Sequence, residues 1–178
     1  MQNRVQWTSL REMNLFGRKH SGDGAGADPR DVYLGLRSQA LNLTAASVGC
    51  PPETPLLALL METGLSGAAA TLVGVADGTT SLYYSTGGGL IGAGTRRDVA
   101  IATERWLQTC GELLDQLSPV ADPPLPTEGT VQFVAVTPDG LLGAVAPAAE
   151  LGERRHALSP LFFAGHDVIS QIRLSQAA

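Results

Sequence analysis

Apolar side chains recur at every third or fourth position in three stretches of this chain, and they run together or alternate in several others. Val32, Leu36, Ala40 and Leu43 form the first stripe, which predicts a helix over Pro29–Leu43. Asp28 is expected to cap it, with Pro29 at the first helical position and Asp31 as the acidic member of a capping pair. Three prolines between Pro51 and Pro55 then stop any helix, because each removes a backbone donor and clashes with the preceding turn. Val99, Ala102, Trp106, Cys110, Leu113 and Leu117 form the second stripe. Its start reads Thr95-Arg96-Arg97-Asp98, so Thr95 is expected at the cap and Asp98 as its reciprocal partner. The third stripe, Leu161, Gly165, Val168 and Ile172, follows Ser159-Pro160 and predicts a closing helix to about Leu174.

Between the stripes lie strands. Leu56–Thr63 is apolar nearly throughout, as a strand covered on both faces should be. Thr71–Ala76 and Thr79–Ser85 flank Asp77-Gly78, a hairpin signal in which both turn residues are expected at positive φ. Thr130–Val136 and Leu141–Ala146 flank Thr137-Pro138-Asp139-Gly140, a second turn. A proline-rich crossing, Ser118–Gly129, joins the middle helix to this second hairpin. The predicted order is α-β-β-β-α-β-β-α, an α/β (α+β) fold in three layers. A mainly antiparallel, five-stranded sheet carries flanking helices.

That order of elements resembles the profilin-like folds, a group that includes roadblock, longin, GAF and PAS domains. The resemblance lies in topology, over about residues 28–175, and implies an adaptor, a dimeriser or a sensor. Topology alone does not decide among them.

Length and charge sharpen the picture. A chain of 178 residues suits one domain, and its 44% apolar content supports a packed core. The expected division is a flexible basic leader with a glycine-rich linker over residues 1–27, and one globular domain over 28–178. The leader holds four basic and two acidic residues, with Trp7, Leu10, Leu15 and Phe16 among them, and Met13 could serve as an alternative start. The remainder holds eight basic and fifteen acidic residues, a net of −7. An acidic body argues against nucleic acid as a partner, since phosphate contacts need clustered positive charge. No long apolar run indicates a transmembrane segment, and no secretory signal is evident, so a cytoplasmic protein is expected. Cys50 and Cys110 stand apart and are expected as thiols, Cys110 in the core.

Candidate chemistry concentrates at one corner. Gly87-Gly88-Gly89-Leu90-Ile91-Gly92 satisfies G-x-G-x-x-G between a strand and a helix, where backbone donors can hold a phosphate. The surroundings fit a dinucleotide poorly. The preceding strand belongs to a hairpin, and no acidic residue follows at the ribose-binding distance. A Walker loop is missing its lysine, because Thr95 stands in that place. Gly87, Gly88, Gly89, Thr95, Arg96 and Arg97 therefore read as a corner that could contact a small anionic ligand or an acidic partner. Arg96 and Arg97 oppose the helix macrodipole, which favours an external anion for them. Tyr83 and Tyr84 are adjacent on a strand, so one faces outward as a candidate interface residue.

No catalytic set, metal pair or cofactor motif emerges. His20, His156 and His166 are scattered, and no serine sits in a nucleophile elbow. The expectation is a non-catalytic protein–protein interaction domain, an adaptor or regulatory subunit that self-associates as a homo-oligomer. The alternative is a sensor of a small anion, or an enzyme, with its pocket at Gly87–Gly94. A structural component tethered by the basic leader is a third reading.

Overall fold

Seven antiparallel strands form one sheet among the described residues, where the sequence pattern indicates five. The structure, a computed structural model, describes residues 28–177; the expected leader and linker over 1–27 lie outside the described residues. Helix α1 (Pro29–Leu41) and a short α2 (Ala45–Val48) lead into strands β1 (Ala58–Leu65), β2 (Ala68–Val75), β3 (Thr80–Tyr84) and β4 (Gly89–Ile91). A 3₁₀ turn over Ala93–Thr95 opens α3 (Arg97–Glu112). Then follow β5 (Ser118–Pro119), β6 (Thr130–Thr137), β7 (Gly140–Pro147), a short α4 (Ala148–Gly152) and α5 (Ser159–Ala177). The sheet order is β4-β3-β2-β1-β6-β7-β5. The two strands added to the expectation are its edges, three and two residues long. Neither has the length to show periodicity, which is why each reads as a loop.

Helices cover both faces of the sheet. On one face Leu59, Met61, Leu72, Leu82, Val131 and Phe133 meet Val99, Trp106, Cys110, Leu161, Val168 and Ile172 of α3 and α5. On the other, Leu60, Val73, Val75, Tyr83, Val134 and Val136 meet Tyr33, Leu36 and Ala40 of α1 and Val48 of α2. This is why β1 is apolar on both faces.

Trp106, fully buried, is the largest side chain of the α3–α5 face. It fits because its two neighbours lack side chains. A Cβ on Gly74 of β2 would stand 3.2 Å from the indole ring, and one on Gly165 of α5 would stand 2.8 Å from Met61 Sδ and 3.1 Å from the indole nitrogen. A strand glycine that admits a close neighbour is the expected use of that residue.

Several local expectations change. Asp28 caps α1 by accepting from Arg30 N at 2.9 Å, but the helix ends at Leu41 and its buried stripe is Tyr33, Leu36, Arg37 and Ala40. Thr95 does not cap α3. It lies in the 3₁₀ turn with its hydroxyl donated to Gly92 O, and Arg96 takes the cap position without a side-chain bond. The Asp77-Gly78 hairpin forms, yet only Gly78 has positive φ, while Asp77 Oδ1 accepts from Thr79 N at 2.8 Å. Val75 N donates to Thr79 O at 2.9 Å, and the three residues inside that bond end in glycine, so the reversal needs one left-handed residue where a two-residue loop would need two.

Candidate functional site

The face under α1 is where polar chemistry and open space meet. Successive cross-strand partners place Tyr83 of β3, Thr71 of β2, Glu62 of β1 and Gln132 of β6 in one row. All four are buried. Side chains directly opposite on neighbouring strands lie about 4.5–5.5 Å apart at Cβ, so such a row forms one continuous polar band.

Helix α1 answers this row with two residues one turn apart. Tyr33 shares a 2.8 Å hydrogen bond with the Thr71 hydroxyl. Arg37 grips Glu62 with both ends of its fork, Nε to Oε1 at 2.7 Å and Nη2 to Oε2 at 2.8 Å. The same Nη2 donates to Pro123 O at 2.8 Å. Arg37 thus joins α1, the central strand and the proline-rich crossing at a single point. The bidentate geometry suits guanidinium and carboxylate, and it compensates a desolvation that would otherwise be severe. Burial works against the charge of Arg37, but its bonds and attraction to Glu62 outweigh that and hold its pKa above the ordinary value. Burial raises Tyr33, with the Thr71 bond opposing, and burial raises Tyr83 strongly, with Glu62 adding to it.

Two atoms of the row have no hydrogen-bond partner among the described residues, Tyr83 Oη and Gln132 Oε1. The Tyr83 ring stands edge-on to Tyr33, with centroids 5.6 Å apart. On its other flank Tyr83 borders a narrow apolar cleft between α1 and the β2–β4 side of the sheet. Leu36, Ala40 and Leu43 form one wall, and Val73, Val75 and Ile91 form the other. The cleft is shallow, with a cavity volume of about 20 Å³, close to the space one water needs. Leu43 and Ile91 are only half-buried, so the apolar lining reaches the surface.

The expected glycine corner is divided in two. Gly87 and Gly88 form the β3–β4 turn, where Gly87 N donates to Tyr84 O at 3.0 Å and Tyr84 N donates to Gly88 O at 3.1 Å. Both have positive φ, and Gly89 lies against Tyr83, where a Cβ would fall 2.6 Å from Tyr83 Cα. Thr95, Arg96 and Arg97 are exposed near the opposite end of β3, beside the β2–β3 turn that Gly94 touches. The five residues of β3 put about 16 Å between the two groups. The structure therefore does not bring the glycine turn together with the arginines. Among the described residues neither Arg96 nor Arg97 has a salt-bridge partner. Tyr83 is 4% exposed and packs under α1, and Tyr84 is half-buried against the α3–α5 core. Neither projects freely into solvent.

Arg37 and Glu62 escape a reading of composition and motifs, though both leave a trace. Tyr33, Leu36, Arg37 and Ala40 share a helical face, and Glu62 is the lone charge in an otherwise apolar strand. A buried carboxylate needs a cationic partner, and Arg37 is the base on the buried face of α1.

Elsewhere, Cys50 and Cys110 are free thiols, and burial pushes Cys110 up to about 12. His166 stacks on Phe162 with centroids 4.3 Å apart, and although the residue is exposed, desolvation on that side, aided by Arg173, lowers its pKa. Among the described residues no three His, Cys, Asp or Glu side chains are placed to hold a metal ion, and no helix is long and apolar enough to cross a membrane. No family model matches this chain, and neither a curated protein nor a solved structure matches it, so its own geometry must carry any functional reading.

Proposed function

We propose that this chain is a non-catalytic interaction domain, an adaptor or regulatory subunit of a cytoplasmic complex, which also self-associates. Its docking site is the rim of the cleft beside α1, and its partner is a protein that covers half-buried Leu43 and Ile91 there with apolar side chains. One observation carries the reading: half-buried Leu43 and Ile91 bring the apolar lining of the cleft to the surface next to an ion-paired helix. A pre-ordered wall reduces the entropy lost on binding, and apolar anchors in a desolvated pocket dominate such interfaces. The resemblance of the element order to profilin-like adaptors agrees with this reading.

The sheet edges support a face-on mode of association. Both edge strands are very short, and β5 contains Pro119, features that blunt pairing with another sheet.

A photo-crosslinking amino acid placed at position 91 tests the proposal in the producing cells. The expected product joins position 91 to a single apolar-rich peptide of one protein, or of a second copy, and Leu43→Asp abolishes it. Adducts scattered over many proteins, unchanged by Leu43→Asp, would refute the docking site.

A further inference from the structure

Among the described residues, one residue other than glycine is held at positive φ: Arg154, at 60°. It stands just past the end of α4. Arg154 N donates to Leu151 O at 3.2 Å, and Arg155 N donates to Glu150 O at 2.9 Å. This pair of bonds closes a helix by way of a left-handed residue, and glycine is the usual choice there. Arginine adopts that backbone only at a cost, while Gly152, which would not, is spent inside the helix two residues earlier. We infer that the corner between α4 and α5 is a second docking surface, centred on Arg154, for a protein segment that presents a carboxylate beside an aromatic or apolar side chain.

The cation is positioned but unused. The Arg154 guanidinium lies over the Phe163 ring, with Cζ 4.4 Å from the centroid. Stacking restrains the group and leaves N–H donors at its edge. The carboxylates near it in sequence and on α5 are engaged elsewhere. Glu153 pairs with Arg155, and Asp167 Oδ1 accepts from Gln171 Nε2 at 3.4 Å. Among the described residues no salt bridge includes Arg154. A planar fork with open donors fits a carboxylate through two parallel bonds. An acidic segment is repelled by a domain of net charge −7 except where an unpaired base meets it, so charge favours this place for it.

The surroundings supply the apolar half of the contact. Tyr33, Tyr83, Trp106 and Phe133 are buried. Phe162 and Phe163 are only half-buried, and they stand edge-on to each other with centroids 5.6 Å apart. Exposed His166 extends the group by stacking on Phe162. Leu174, 65% exposed, lies about three turns beyond Phe163 on the outer side of α5. Arginine beside partly open aromatic rings is the composition found at the centres of interfaces. Helix α5 packs on the face of the sheet opposite α1, so this surface stays open when the cleft rim is covered. The inference therefore does not rest on the cleft.

The test titrates the full chain, isotope-labelled at nitrogen, with the peptide acetyl-Glu-Phe-Glu-amide and follows the arginine Nε–H resonances by NMR. Arg96 and Arg97, which also have no salt-bridge partner among the described residues, serve as controls. The Arg154 signal is expected to move and saturate at several-fold less peptide than theirs, and the Gln-Phe-Gln counterpart should leave it in place. Arg154→Lys, which keeps the charge and loses the fork, should weaken binding several-fold. Arg154→Gly should abolish the response at the Phe163 amide while its melting midpoint is no lower than that of the parent chain. An equal response from all three arginines overturns the inference, as does an equal response to the glutamine peptide. Inorganic phosphate that saturates Arg154 as tightly as the peptide also overturns it, because the site then takes any anion. Unchanged binding in Arg154→Gly does the same, and a lowered midpoint there would assign the residue to closing α4 alone. The crosslink from position 91 reads the other face of the sheet, so the two failures are distinguishable.

Discussion

The two faces of the sheet are built on different principles. The α3–α5 face is close-packed hydrocarbon around Trp106, and the Thr80–Thr103 hydroxyl pair at 2.8 Å is a small polar inclusion in it. The α1 face carries a band of buried polar groups closed by an ion pair, with an apolar cleft at its margin. Packing on the first face is stabilising and tolerates hydrophobic exchange only where volume is kept. The pairing on the second adds little net stability, but it makes the seating of α1 exact, because a bidentate fork has one register. That register also fixes the wall that α1 gives to the apolar cleft.

Breaking the α1 face at its charge pair should have the largest effect. Arg37→Ala or Glu62→Ala leaves a buried charge alone and is expected to cost about 3–5 kcal/mol in urea unfolding. Replacing both, as Arg37→Met with Glu62→Leu, should recover most of that loss, since apolar substitutes need no partner. If the double variant is as unstable as either single one, the pair has a role beyond mutual compensation.

The packed face is tested at Gly165. Alanine in a helix interior ordinarily gains about 1 kcal/mol over glycine. Here the new methyl meets Met61 and the Trp106 indole, so Gly165→Ala should instead lose about 1–3 kcal/mol through overpacking. A stabilised Gly165→Ala would show that the α3–α5 contact has room to spare.

Smaller effects separate the two tyrosines. Tyr33→Phe removes a bonded hydroxyl and should cost about 1 kcal/mol. Tyr83→Phe removes an unpartnered buried one and should be neutral or slightly stabilising. Burial raises both phenol pKa values. The unfolded chain therefore loses these protons first, and stability should fall as pH rises above the ordinary tyrosine value of about 10. Either phenylalanine variant should lessen that alkaline loss.

The smallest effect belongs to His166. Desolvation on its Phe162 side lowers its pKa, screened because the residue is exposed, so the unfolded state takes up the proton first as pH falls below about 6.5. Its contribution is complete above that value and is lost on going down through the folded pKa. A thermal-midpoint profile that is flatter between pH 5 and pH 7 in His166→Gln, by roughly a degree or less, is the expected outcome.

The helices were legible because stripes at three and four positions survive any tertiary context, and Leu161, Val168 and Ile172 are buried as their spacing indicates. The two hairpins were legible from Gly78 and Gly140. The edge strands were not, because partners six to ten residues back across a glycine turn make Gly89–Ile91 a strand, and that information is not periodic. The site was the least legible part. Arg37 looks like any surface base on a helix until Glu62, far along the chain, is placed beneath it. Conversely, the glycine run attracts attention as a motif, while its residues serve a turn and a close approach to Tyr83.

Arg37 also imposes an order of events on the nascent chain. Its carboxylate partner is made 25 residues later and its carbonyl partner at Pro123 86 residues later. While synthesis proceeds from the N-terminus, α1 is made before β1 but cannot complete its bonds until the crossing at Pro123, 86 residues on, has followed. The first helix among the described residues is thus held by a bond whose partner is made long after it.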